Sequence, residues 1–279
     1  MSARPPRSWS AALPPSAEPV PVVPGFRLDE LLGWGASGAV WRAECLADGS
    51  EVALKVARSA GAASLEREAE ALTTIRHPGV VRVLGRALTD DGRPVGVLEL
   101  VGGESLASRL ARGALPVGPA LRIARGIAEA LAAAHGSSVV HGDLKPANVM
   151  VRADESVVLL DFGAAASPLA GGAAAAPIAG TPAYVAPELV DGVAASAASD
   201  VFALGVMLHE ALAGARPFAG EGVQQLLFQI AYAEPPDLAV IAPHVPAAVC
   251  AACAACLAKD PAARPSAAQL VGLLVEARP

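Results

Sequence analysis

Two short runs hold the residues best suited to chemistry, His141-Gly142-Asp143-Leu144-Lys145-Pro146-Ala147-Asn148 and Asp161-Phe162-Gly163. The Asp143 carboxylate can take a proton from an attacking hydroxyl, and Lys145, two residues on, can reach a phosphate in transfer. Asn148 and Asp161 offer oxygen ligands of the kind a hard ion such as Mg²⁺ prefers. Each residue alone also suits a solvated loop. Their order along the chain, after the groups described next, points to phosphoryl transfer.

The run Gly33-Trp34-Gly35-Ala36-Ser37-Gly38-Ala39-Val40 could bring backbone N–H groups close to phosphate oxygens, since glycine leaves no Cβ in the way. Its spelling is nearly that of a dinucleotide-binding turn, which should lead from strand into helix with an acidic residue about twenty positions later. Here Val40 and Trp41 prolong a strand, Asp48-Gly49 turns it, and Val52-Ala53-Leu54-Lys55 supplies a cation instead. Lys55 lies among apolar neighbours, so an anion is needed to orient it. Glu68 is placed for that on the next helix, while Glu66 and Glu70 point to other faces.

The elements that must position these groups follow from pattern. Phe26 to Leu32, Val40 to Glu44, Glu51 to Ala57, Val80 to Leu88 and Arg93 to Leu100 read as strands, and residues 62 to 75 as a helix with Leu65, Ala69, Leu72 and Ile75 on one face. A five-stranded antiparallel sheet with one helix is predicted, a small lobe with a weak core of its own. Beyond Gly102-Gly103, where glycines permit a hinge, the chain is mainly helical: 105–112, 117–135, 198–214, 221–230, 246–258 and 266–276, the last capped by Ser266. Short strands are expected at 149–151 and 157–160, and a loop over 164–179. The fold class is therefore α+β and bilobal, with an N-lobe over 25–101 and a C-lobe over 102–279. Residues 1–24 hold seven prolines without apolar periodicity and read as a flexible tail, with a docking peptide as the other reading.

Composition excludes several functions. The net charge of −6 gives no global attraction to nucleic acid or anionic lipid. No uninterrupted apolar run approaches the ~20 residues of a membrane helix, and prolines fill the place of a signal-peptide core, so a cytoplasmic protein is expected. Cys250, Cys253 and Cys256 share the spacing that opens an iron–sulfur ligand run, but Asp260-Pro261 stands where the final Cys-Pro belongs. A buried stripe of thiols along an Ala-rich helix is the expectation.

Residues 26 to about 272 resemble the eukaryotic-type protein kinase family, and in particular the bacterial Ser/Thr kinases. The resemblance rests on the runs above and on Gly180-Thr181-Pro182-Ala183-Tyr184-Val185-Ala186-Pro187-Glu188, Ser199-Asp200-Val201-Phe202-Ala203-Leu204-Gly205 and Asp260-Pro261-Ala262-Ala263-Arg264-Pro265. It implies a bilobal protein-kinase-like fold and transfer of the ATP γ-phosphoryl group to protein Ser or Thr, with Mg²⁺ or alternatively Mn²⁺. Adenine would lie between Val40 and Ala53 above and Met150 below, beside Leu98 as gatekeeper and the backbones of Glu99 and Val101. The resemblance also implies a Glu188–Arg264 pair, a stack of His141 and Phe162 with Leu72, and Asp200 bracing the catalytic loop. Lys145 and Thr181 favour Ser/Thr over Tyr.

Two departures stand out. The family usually has Arg at position 142, where it pairs with a phosphorylated activation loop. Gly142 cannot, and Ser167 is the only hydroxyl between Gly163 and Gly180, so activity independent of activation-loop phosphorylation is expected. Many bacterial relatives continue into a membrane anchor and sensor, whereas this sequence stops at Pro279, which points to input from a partner protein, the tail or nothing. A pseudokinase that only binds nucleotide or a partner, and a small-molecule phosphotransferase sharing the His-Gly-Asp spelling, are the alternatives. The Ala-rich composition suggests a bacterial source.

Overall fold

A computed structural model describes residues 20–35, 38–58, 62–162 and 182–276. Five strands, β1 (Phe26–Trp34), β2 (Gly38–Cys45), β3 (Glu51–Ala57), β4 (Val83–Leu88) and β5 (Pro94–Glu99), form an antiparallel sheet ordered β1-β2-β3-β5-β4. Asp48 accepts from the Ser50 N–H at 3.0 Å and closes the β2–β3 turn. Because β3 is central, its side chains are buried on both faces. Val52, Leu54 and Val56 join Ala43, Val95 and Val97 in an outer cluster, while Lys55 shares the opposite face with its register partners Val40 and Gly96. The helix α1 (Ala62–Thr74) packs on the sheet through Leu65, Ala69 and Leu72, with Glu68 buried on the same side.

Besides shifts of one or two residues at the ends of β2 and β5, three differences from expectation bear on the fold. First, β1 runs two residues further, through Gly33 and Trp34, because these still pair with Val40 and Ala39. Second, β4 begins at Val83 rather than Val80, since Val80 makes a parallel bridge to Leu159 in the other lobe and Val81 donates to the Leu159 carbonyl. Third, residues 20–24 are not free tail. Val23 is 2% exposed within the outer cluster, and the Val22 carbonyl accepts from Asp90. An apolar residue just before the Gly25 turn had a hydrophobic face to join.

The second lobe starts with β6 (Glu104–Ser105), which pairs with β7 (Val149–Val151), itself paired with β8 (Val157–Leu159). The strand β6 was not anticipated, because two residues carry no periodicity. The helices are α2 (Leu106–Leu110), α3 (Val117–Gly136), α4 (Pro187–Val190), α5 (Ala197–Ala213), α6 (Val223–Tyr232), α7 (Leu238–Ile241), α8 (Ala247–Cys256) and α9 (Ala267–Glu276). Ser266 caps α9 as expected, accepting from Gln269 N–H while the Gln269 side chain accepts from Ser266 N–H. Helix α5 starts in a Ser196/Ser199 capping box and is buried nearly throughout, so it forms the axis of the lobe. The larger core surrounds it and extends to Leu72 of α1 and Ile75 just after that helix, which ties the lobes together. No helix among the described residues is long and apolar enough to cross a membrane.

The cysteines of α8 form the expected stripe. Cys253 and Cys256 are 1% and 0% exposed, and the Cys253 Sγ contacts the Gly205 carbonyl at 3.6 Å. Burial pushes both thiols up, Cys256 to about 12, so they stay protonated.

Candidate active site

The central strand aims Lys55 into the space between the lobes, and two carboxylates meet it. Its Nζ lies 2.5 Å from Glu68 Oε2 of α1 and 2.6 Å from Asp161 Oδ1. Burial alone would lower the ammonium pKa, but Asp161 and Glu68 outweigh it and raise the value, so Lys55 is charged. The carboxylates respond differently. Burial raises Glu68; the Lys55 charge opposes this, but the neighbouring Asp161 carboxylate adds to the rise and the net direction stays up, while Glu68 Oε1 has no hydrogen-bond partner. Asp161 is more exposed; burial raises it too, but Lys55 prevails and its pKa is lowered.

Asp161 has φ of +57°, a left-handed backbone that Asp tolerates better than most residues. Its neighbour Phe162 is fully buried against the His141 ring, centroids 4.5 Å apart, with Leu72 in the same core. His141 Nε2 lies 3.0 Å from the Leu160 carbonyl, and the Leu160 N–H donates to the Asn148 carbonyl. These bonds fix the run before Asp161 to the loop carrying Asp143.

That loop is held from below by α5. The Asp200 carboxylate accepts from the backbone N–H of His141 and of Gly142, both at 2.9 Å, and its Oδ2 lies 2.9 Å from His135 Nε2. Gly142 has φ of +76°, which glycine adopts without steric cost, so the residue has a backbone reason as well as an electrostatic consequence. Lys145 Nζ donates to Asp143 Oδ2 at 2.6 Å, and Asn148 Nδ2 donates to the Asp143 carbonyl at 2.8 Å. The second bond engages the amide nitrogen of Asn148 and leaves its oxygen as the end suited to a cation. With the Asp161 carboxylate this is a hard-oxygen donor set, which fits Mg²⁺ or Mn²⁺.

The remaining residues singled out for nucleotide lie on the same sheet face as Lys55, on the strand beside it, just beyond it, or in the second lobe. Val40 and Ala53 lie on the sheet face that carries Lys55, Leu98 is the register partner of Ala53, and Glu99 that of Val52. Glu99 is half-buried and engaged through its carboxylate with the Arg82 N–H and guanidinium, while its own N–H donates to the Arg82 carbonyl. Val101 is buried, and Met150 lies in β7, in register with Ser105. Gly33 belongs to β1 and Gly35 donates to the Gly38 carbonyl at 2.9 Å. A Cβ at Gly38 would stand 2.1 Å from the Val56 carbonyl oxygen, so close strand packing by itself demands glycine there. Ala36, Ser37, Ser167 and the whole of 163–181, including Gly163, Gly180 and Thr181, lie outside the described residues.

Further along the second lobe, Arg264 forks onto Glu188 at 2.7 and 2.8 Å with its side chain fully buried, and also donates to the carbonyls of Ala258, Ala198 and Lys259. Tyr184 donates to Glu210 at 2.7 Å, and burial followed by that carboxylate raises its pKa. The residues singled out from the sequence did not include Glu210 or His135. A lone acid near the end of the apolar α5 run and a lone His closing an Ala-rich helix were the available signals.

Comparison with known proteins agrees with this architecture. The Protein kinase domain family matches residues 26–273. The chain is 38% identical over 251 residues to Serine/threonine-protein kinase PknA of Mycobacterium tuberculosis, covering 86% of this chain and 58% of that protein. It is 36% identical to Serine/threonine-protein kinase PkaA of Streptomyces coelicolor, covering 92% and 51%. The DNA damage-responsive serine/threonine-protein kinase RqkA of Deinococcus radiodurans is 35% identical, with 93% and 41% covered. The chain thus spans about half the length of these relatives. The crystal structure of Rad53 1-466 in complex with AMP-PNP superposes with a TM-score of 0.75 at 28% identity, covering 88% of this chain and 64% of that one. With its bilobal architecture and these matches, the chain belongs to the protein kinase family and groups with the bacterial serine/threonine kinases.

Proposed function

We propose that this chain is an ATP-dependent serine/threonine protein kinase domain. The observation that carries the reading is the contact of Lys55 with Glu68 of the first lobe and Asp161 of the second, with the loop of Asp143, Lys145 and Asn148 tied to the Asp161 run through the Leu160 N–H and the Asn148 carbonyl. Family membership, the serine/threonine kinases among its relatives and an ATP analogue in the Rad53 neighbour support it.

ATP would lie with its adenine between Val40, Ala53 and Met150, its edge toward the backbones of Glu99 and Val101 past Leu98, and its phosphates under Gly33, Gly35 and Gly38. Lys55, oriented by Glu68, would hold the α- and β-phosphates. Mg²⁺ or Mn²⁺ held by Asn148 and Asp161 would neutralise phosphate charge. Asp143 would orient the acceptor hydroxyl and take its proton, while Lys145, now on Asp143, would shift toward the γ-phosphate as charge develops. The acceptor is a Ser or Thr of a protein, seated beside the Glu188–Arg264 segment. Gly142 offers no cation to a phosphorylated activation loop, so turnover is independent of phosphorylation there.

The test is transfer of labelled γ-phosphate from Mg-ATP to the protein itself and to a basic Ser/Thr substrate, for wild type and Asp143→Asn, with and without prior phosphatase treatment. Label on Ser/Thr from wild type alone, unchanged by phosphatase, is the expected result. No transfer with nucleotide binding intact would replace the reading with a pseudokinase, and a large phosphatase effect would remove the independence.

A further inference from the structure

The chain has three lysines beside eighteen arginines, and two of the three serve the cleft. Lys55 is held by Glu68 and Asp161, and Lys145 by Asp143. The third, Lys259, lies just past α8 and has no carboxylate within ion-pair distance among the described residues. Its Nζ donates instead to the Ile230 carbonyl in the last turn of α6 at 2.7 Å, and stands 4.1 Å from the centroid of the Phe218 ring. Ile230 and Phe218 are buried and Lys259 is half-buried. The Lys259 carbonyl accepts from Arg264 at 3.1 Å, which fixes the backbone that presents the side chain. The charges near Nζ are Glu234 and Arg264, the latter engaged by Glu188, while the neighbouring Asp260 carboxylate accepts from the Ala262 N–H at 2.9 Å. Burial lowers the ammonium, Glu234 opposes the fall and Arg264 adds to it, leaving a pKa of about 8.

We propose that Lys259 is an acyl-acceptor site, open to activated acyl compounds of the acyl phosphate class, and that its acylation releases the C-terminal end of α6. An amine attacks a carbonyl carbon only through a lone pair free of its proton. A salt bridge is lost with the charge, whereas a bond to a backbone carbonyl is not, since a neutral amine still donates an N–H and keeps its lone pair. Lys259 is the lysine whose polar contact survives that change. In the transfer, the Nζ lone pair attacks the acyl carbon and the C–N bond forms. The C–O bond to phosphate breaks, phosphate leaves with the electron pair, and the proton shed by nitrogen passes to water. The amide that results carries no charge. It gives up the attraction to the Phe218 ring and to the last-turn carbonyls of α6, which hold the negative end of the helix dipole.

The inference does not depend on phosphoryl transfer by this chain. Its test treats the whole chain with acetyl phosphate from pH 7 to 9.5, natively and in urea, and maps acetyl-lysine by peptide mass spectrometry, with Lys259→Arg confirming the assignment. At pH 8 about half of an amine with a pKa of about 8 is neutral, against about 0.4% of an ordinary lysine at about 10.4. Its lower basicity gives back part of that advantage, so Lys259 is expected to react roughly tenfold faster than Lys55 or Lys145 in the native chain. Its rate levels off toward the top of the pH range, Lys259→Arg loses the label, and in urea the three lysines react alike. Hydrogen exchange of the acetylated chain then shows faster exchange in the last turn of α6, with α3 unchanged. Equal native rates at the three lysines, a Lys259 preference that survives in urea, or unchanged exchange at the end of α6 would overturn the proposal.

Discussion

Lys55→Met removes the ammonium that both Glu68 and Asp161 contact, at 2.5 and 2.6 Å. Asp161 is 38% exposed and can turn to solvent, but Glu68 is 3% exposed and cannot. An uncompensated carboxylate at such a site costs about 3–5 kcal/mol, or about 6–20 °C in Tm at 2–4 °C per kcal/mol for a domain approaching this size. Glu68→Gln is expected to cost less, about 1.5–3 kcal/mol, because Lys55 keeps Asp161 and only one charge-assisted bond is lost. The asymmetry carries a pH signature. Glu68 is already raised by burial, and Lys55 is the largest influence opposing the rise. A carboxyl raised above its unfolded value binds protons on folding, so its unfavourable contribution appears as pH climbs through the folded-state pKa. The Lys55→Met deficit should thus be small near pH 5 and full where Glu68 ionises. Urea unfolding of both variants and the double variant Lys55→Met/Glu68→Gln, from pH 5 to 8.5, measures this, and the double variant should recover part of the loss. A Glu68→Gln cost equal to or above that of Lys55→Met, or a pH-independent deficit, would refute the account.

Two further outcomes follow from single residues. Gly142→Ala should lower stability by about 1–2 kcal/mol, because a Cβ is strained at φ of +76°, and urea unfolding reads the loss directly. A thiol reagent at pH 8 should modify half-buried Cys45 first and reach Cys253 and Cys256 only on unfolding, since both are buried and held protonated; labelling under native and denaturing conditions followed by peptide mapping checks the order.

Much of the candidate site could be proposed from the sequence because its residues stand in short runs whose types suggest a chemistry. Asp143, Lys145 and Asn148 lie within six positions, and Lys55 is a lone cation in an apolar strand, which calls for an anionic partner. Glu68 could be chosen over Glu66 and Glu70 because helix geometry separates their faces, and Glu68 alone of the three is buried. Strand ends were less legible. Val80 has strand propensity, yet it pairs with Leu159 of the other lobe, and no local pattern announces a partner so far along the chain.

The sequence by itself determined the type of the longer elements and the bilobal fold, because periodicity and side-chain identity are local properties, whereas the short β6, α4 and α7 carry too few residues to show a period. Tertiary structure decided which carboxylate would be burdened and which relieved. Glu68 and Asp161 meet one ammonium, yet burial raises the first and the lysine lowers the second. It also showed why glycine stands at 38 and 142, one packed on the Val56 carbonyl and the other in a left-handed turn above Asp200. Solvent exclusion and close approach depend on what other segments bring to a position, so they arise only when the chain is folded.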